Sequence, residues 1–215
     1  MKFAPLALLA AAAALSAGCG NLERSRDLAN PNVSATTLAQ QVCSNCHGVT
    51  GNAVSPNFPN LAGQVEPYVI AQLNAFKSHG RLDPAGFEYM WGLSRSLTED
   101  QIKGLGAYYA AQKPLPQGVE GDHARLAAGK SIFEVGVADK GVPACTGCHG
   151  DKGQGNAPFP RLAGQHADYV VKQLAVFQRT DDRPEGAVMK TVAHELTQQN
   201  IDDVAGYLQA LPNLE

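Results

Sequence analysis

A cysteine pair followed at once by histidine occurs twice in this chain and constrains its fold more than any other feature. Cys43-Ser44-Asn45-Cys46-His47-Gly48 returns as Cys145-Thr146-Gly147-Cys148-His149-Gly150. In this motif each thiol can bond one vinyl-derived carbon of a porphyrin, and the neighbouring histidine then reaches the iron from the same side. The pattern predicts covalent haem attachment, once per motif. Zinc would need two further ligands beside each pair. No other cysteine lies within either copy, and the remaining histidines at 79, 123, 166 and 194 do not match between copies. A redox-active dithiol would need an α/β setting that the chain lacks.

The motif sits inside a longer repeat. Pro59-Asn60-Leu61-Ala62-Gly63-Gln64 recurs as Pro160-Arg161-Leu162-Ala163-Gly164-Gln165. Met90 pairs with Met189, Leu97 with Leu196, Ile102 with Ile201 and Tyr108 with Tyr207. The offset drifts only from 102 to 99 across the unit, as in a tandem duplication. Between the copies, Lys113-Pro114-Leu115-Pro116-Gln117-Gly118 cannot continue a helix and reads as a semi-rigid connector. The expected domains are therefore 34–117 and 118–215.

Each copy reads as helical. Val69, Leu73 and Phe76 make one apolar helix face, repeated by Val170, Leu174 and Phe177. Ile102, Leu105 and Tyr109 make another, matched by Ile201, Val204 and Leu208. Thr98 with Gln101 is a capping-box signature for the last helix of the first copy, and Thr197 is the N-cap of its counterpart without the Gln. No stretch alternates as a strand, so the predicted class is all-α. About a hundred residues of short helices bury a modest core, which a large apolar cofactor would complete.

The sixth iron ligand should repeat as well. Apart from Met1 the only methionines are Met90 and Met189, 43 and 40 residues after their histidines. A methionine is ordinarily core filler. Two that match across the repeat, with no others, are expected as axial ligands, and a His/Met pair raises the reduction potential relative to two nitrogens. Pro59 and Pro160 carry two readings: carbonyls that accept the second N–H of each histidine, or plain turn prolines.

The N-terminus is not fold material. Lys2, an apolar run from Phe3 to Leu15, and small residues after it read as a secretory signal over 1–18. Leu15-Ser16-Ala17-Gly18-Cys19 is similar to a bacterial lipobox, so lipidation of Cys19 is expected, with ordinary cleavage nearby as the alternative. Residues 19–33 then form a polar tether between anchor and first domain. The apolar run is too short to span a bilayer as a helix. These features predict a periplasmic, membrane-anchored lipoprotein. With 44% hydrophobic and 17% charged residues the chain is not of disordered composition. A net charge of −3 with no basic tract excludes nucleic-acid binding. Charge is balanced in the first copy and −4 in the second, an imbalance within ordinary surface variation.

The paired motifs, the two Pro-x-Leu-Ala-Gly-Gln runs, the single methionine per half and the closing Tyr-bearing helices resemble the cytochrome c4 family, over about Ser34 to Leu211. The resemblance implies two tandem class I cytochrome c domains facing each other, each wrapped around one covalent haem c. It implies thioethers from Cys43, Cys46, Cys145 and Cys148, proximal His47 and His149, distal Met90 and Met189, and carbonyl acceptors at Pro59 and Pro160. It further implies an electron carrier in a periplasmic respiratory chain rather than an enzyme. The expected donor is a quinol-oxidising complex or a dehydrogenase, and the expected acceptor a terminal oxidase. The alternatives are a haem subunit of a dehydrogenase complex, or a dihaem peroxidase or thiosulfate-oxidising enzyme. The anchor and tether depart from the family pattern.

Overall fold

Three helix N-termini among the described residues are capped by a hydroxyl side chain, at Ser34, Thr98 and Thr197. In a computed structural model, which describes residues 22–118 and 122–211, Ser34 Oγ accepts from the backbone N–H of Thr37 and starts α1 (Ala35–Leu38). The helix runs on through a π-helical turn, Ala39–Cys43, into α2 (Ser44–His47). α3 spans Glu66–Lys77. A second π turn, Gly86–Met90, leads into α4 (Trp91–Ser94), and α5 (Glu99–Ala110) closes the first copy. The second copy follows with α6 (His123–Val135), α7 (Thr146–His149), α8 (Ala167–Arg179), α9 (Ala187–Ala193) and α10 (Gln198–Ala210). Among the described residues there is no strand, only two isolated bridges. The fold is all-α.

The repeated apolar faces form two cores. Leu38, Ile102, Leu105 and Tyr109 are buried in the first copy; Phe133, Val170, Phe177, Ile201, Val204 and Leu208 in the second. In each copy the first helix crosses the last at a glycine. A Cβ on Gly104 of α5 would lie 2.6 Å from the Ala35 Cβ, and one on Gly129 of α6 would lie 2.1 Å from the Asp203 carbonyl oxygen. The glycine that allows the close approach thus sits on opposite helices in the two copies.

Several details differ from the sequence expectation. Part of the stretch expected as a polar tether is docked on the first domain. Val33 is buried, Leu28 packs on the first core, and the Gln101 side-chain amide donates to the carbonyls of Asn30 (3.0 Å) and Val33 (2.9 Å). This attachment is long-range and leaves no periodicity in the tether itself. Thr197 does have a capping-box partner: Asn200 accepts from the Thr197 N–H at 3.1 Å and donates its own N–H to the Thr197 hydroxyl at 3.1 Å, a shorter amide serving where Gln101 does so in α5. In the first copy the opening helix runs straight into the cysteine motif, whereas in the second a loop from Gly136 to Ala144 separates α6 from the motif-bearing α7. The connector is strapped at both ends. Asn52 bonds Lys113 and Leu115, and Gln209 donates to the Gly118 carbonyl at 2.9 Å. The expected signal and Cys19 lie outside the described residues.

Candidate haem sites and the interface between them

Each cysteine motif forms one helical turn ending at its histidine. Gly48 (φ 74°) and Gly150 (φ 80°) then reverse the chain in a region that disfavours side chains. The chain returns as a loop latched in the same way in both copies. The carbonyl of Gly51 accepts from the N–H groups of Leu61 and Ala62 (2.7 and 2.9 Å), as Gly153 does from Leu162 and Ala163 (2.7 and 3.0 Å). Gly63 and Gly164 then donate to Tyr109 and Leu208 at the ends of the last helices. These latches bring the repeated proline back over the histidine.

The Pro59 carbonyl lies 2.9 Å from His47 Nδ1, and the Pro160 carbonyl 2.8 Å from His149 Nδ1. A carbonyl can only accept, so each Nδ1 carries the proton and each Nε2 lone pair is free. Neither Nε2 has a hydrogen-bond partner among the described residues. Burial pushes both imidazoles below the ordinary histidine pKa, against the opposing pull of the proline carbonyl, and so keeps them neutral. Phe58 and Phe159 set a ring edge against each imidazole, with centroids 6.2 and 6.1 Å apart. These two phenylalanines lie one residue before the Pro-x-Leu-Ala-Gly-Gln runs and so outside the repeat as quoted. Extending the repeat back by one residue would have found them.

No disulfide uses the four motif cysteines, so all four sulfurs are available for thioether bonds. Met90 ends the π turn ahead of α4, half-buried, with its carbonyl held by the Ser94 hydroxyl at 2.7 Å. Met189 lies in α9, half-buried against the second core, which Cys145 also borders. The donor set fits a haem in each copy: two cysteine sulfurs outside any disulfide, a neutral imidazole with Nε2 unclaimed, and one thioether on a later element.

The two copies are joined by a reciprocal polar interface. Gln165 accepts from the Asn60 N–H (2.8 Å) and donates to the Asn60 carbonyl (3.0 Å); Gln64 does the same with Arg161 (2.6 and 3.0 Å). Arg81 and Arg183 are both buried as well and share two acceptors across the interface. Gln72 Oε1 accepts from Arg81 (2.7 Å) and Arg183 (2.9 Å), and Gln173 Oε1 from Arg183 (2.6 Å) and Arg81 (3.2 Å). Each guanidinium also has its own carboxylate, Asp83 for Arg81 and Glu185 for Arg183, and stacks over a phenylalanine, Phe76 or Phe177, at 4.6 Å. These pairs match across the repeat and could have been found by aligning the copies further.

Comparison with known proteins agrees with this construction. The family model described as cytochrome c matches residues 34–111 and again 126–212. The chain is 42% identical over 170 residues to cytochrome c-552 of Acidithiobacillus ferridurans, covering 79% of this chain and 73% of the relative. It is 38% identical over 185 residues to cytochrome c4 of Azotobacter vinelandii, covering 79% and 84%. The chain belongs to the cytochrome c4 family. Among solved structures, cytochrome c4 of Acidithiobacillus ferrooxidans superposes with a TM-score of 0.72 at 43% identity, covering 78% of this chain and 97% of the other. A thiosulfate dehydrogenase electron acceptor of Thiomonas intermedia is 34% identical over 181 residues, covering 79% and 78%. As a cytochrome c4, the chain carries two covalent haems on its two C-x-x-C-H motifs and is an electron carrier, not an enzyme. Haem supplies an iron that cycles between the ferrous and ferric states.

Proposed function

We propose that the chain is an exported, lipid-anchored respiratory cytochrome. It takes electrons from a quinol-oxidising complex or dehydrogenase and delivers them to a terminal oxidase in the periplasm. His47 and His149 are the proximal ligands, Met90 and Met189 the distal ones, and the carbonyls of Pro59 and Pro160 fix the imidazoles. One observation carries this reading: both copies present a neutral, oriented imidazole with Nε2 unclaimed, and each has one methionine to complete the coordination. With a nitrogen and a sulfur on each iron, a small substrate finds no coordination site until a bond breaks. Electron exchange needs no such opening.

Stopped-flow mixing of the reduced protein with carbon monoxide tests this. Slow or weak binding is expected at both haems, and fast stoichiometric binding at one would favour an enzyme. The anchor is tested by Cys19→Ser, which should release the protein from membranes with its haem spectrum intact. A wild-type N-terminus beyond residue 19 would rule the anchor out. The relative named as an electron acceptor of thiosulfate dehydrogenase supports a second reading, a haem subunit that stays bound in a dehydrogenase complex and does not serve an oxidase. Pull-down from gently solubilised membranes separates the two by which complex is retained.

A further inference from the structure

The bond between each proximal histidine and its proline carbonyl does not end at the proline. The Pro59 carbonyl that accepts from His47 Nδ1 and the Asn60 N–H that donates to Gln165 Oε1 belong to one peptide group. The Pro160 carbonyl that accepts from His149 and the Arg161 N–H that donates to Gln64 Oε1 belong to another. Each histidine is therefore held by a peptide whose far side is held by a glutamine of the opposite copy. Both glutamines are buried, at 5% and 6% exposure, and each also donates to the carbonyl of the residue it holds, which fixes its amide orientation.

We infer that Gln165 tunes the haem ligated by His47, and Gln64 the haem ligated by His149, each across the interface through the intervening peptide. When a peptide N–H is engaged, electron density shifts toward its carbonyl oxygen and makes that oxygen a better acceptor. A better acceptor draws the Nδ1 proton away, which makes the imidazole a stronger donor through Nε2 and favours ferric iron. Each copy thus lowers the potential of the other's haem, and the two are linked by hydrogen bonds as well as by charge. Gln64 and Gln165 are positioning residues. Neither hydrogen-bonds to an imidazole of His47 or His149; their bonds go to Arg161 and Val65, and to Asn60 and His166. The inference rests on His47 and His149 being iron ligands.

The test is an NMR-monitored redox titration of the full-length holoprotein, with the haems told apart by through-space contacts to the His47 and His149 rings. Gln165→Met removes the acceptor and keeps the bulk. At fixed applied potential the ferrous-to-ferric ratio should rise about threefold at the His47 haem and change little at the nearer-in-sequence His149 haem. Gln64→Met should do the reverse. Gln165→Glu keeps an oxygen facing the Asn60 N–H in either protonation state, so the ratio should stay at or below the wild-type value. The His47 Nδ1 proton should move upfield in Gln165→Met, as its hydrogen bond weakens. Equal shifts at both haems, a shift only at the haem of the mutated copy, or no shift would overturn the inference. Wild-type His47 ring protons without hyperfine shift would instead overturn the ligand assignment itself. Should Gln165→Met fold poorly, Gln64→Met and Gln165→Glu still decide the direction of the effect.

Discussion

Asp83→Asn should destabilise the interface far more than the equivalent change on the other side. Asp83 is 1% exposed and takes two hydrogen bonds from Arg81, at 2.6 and 3.1 Å, while Arg81 itself is 3% exposed. Burial raises the Asp83 pKa, but bonding and charge from Arg81, with help from Gln173 and Arg183, outweigh it and hold the carboxyl below its usual range. Breaking a buried pair by neutralising one member costs ~3–5 kcal/mol. Asparagine keeps one acceptor for the guanidinium, which places the loss at the lower end, about 3 kcal/mol, or roughly a hundredfold in the equilibrium constant. Glu185, the repeat counterpart, is 22% exposed, so water can replace part of its contact with Arg183. Glu185→Gln should cost about 1 kcal/mol. Urea unfolding of the holoprotein, followed by far-UV circular dichroism and haem absorbance, measures both. A midpoint for Asp83→Asn within error of wild type would refute the reasoning and mean that Arg81 finds its counter-charge elsewhere.

Met90→His and Met189→His should each lower the potential of one haem, and the sulfur-to-iron charge-transfer band of the oxidised protein should fall by about half in each. An unchanged band would remove that methionine from the ligand set. The Asp83 contribution is also pH-dependent. Its folded pKa is depressed, so its stabilisation is fully present above the ordinary carboxylate value of about 4 and is lost as pH falls through the folded value. The melting temperature of wild type should drop in that acid window, and that of Asp83→Asn should drop less. Parallel curves would contradict the assignment.

Features repeated at short range were legible in the sequence. The cysteine motifs, the apolar faces on α3, α5, α8 and α10, and the Thr98 cap follow from local spacing, which periodicity and capping chemistry expose. What stayed hidden depends on residues distant in the chain. Gln101 reaches 71 residues back to Asn30, and Gln165 reaches 105 back to Asn60. Glutamine and arginine carry no periodic signal, so Gln72, Arg81, Gln173 and Arg183 show as matched pairs only when the copies are aligned along their whole length, and their burial shows only when the copies are face to face. Pro59 and Pro160 were undecided between turn and acceptor, because the choice depends on where the loop returns. The latches at Gly51 and Gly153 settle where it returns, and they are backbone bonds invisible to side-chain patterning.

Two haems held by thioether bonds, one in each copy, underlie everything above, and the intact mass of the denatured protein measures them most directly. After extraction with acidified acetone the chain should stay coloured, and its mass should exceed that of the processed polypeptide by two haem groups. An excess of one haem, or a colourless chain with the pigment in the organic phase, would contradict the account.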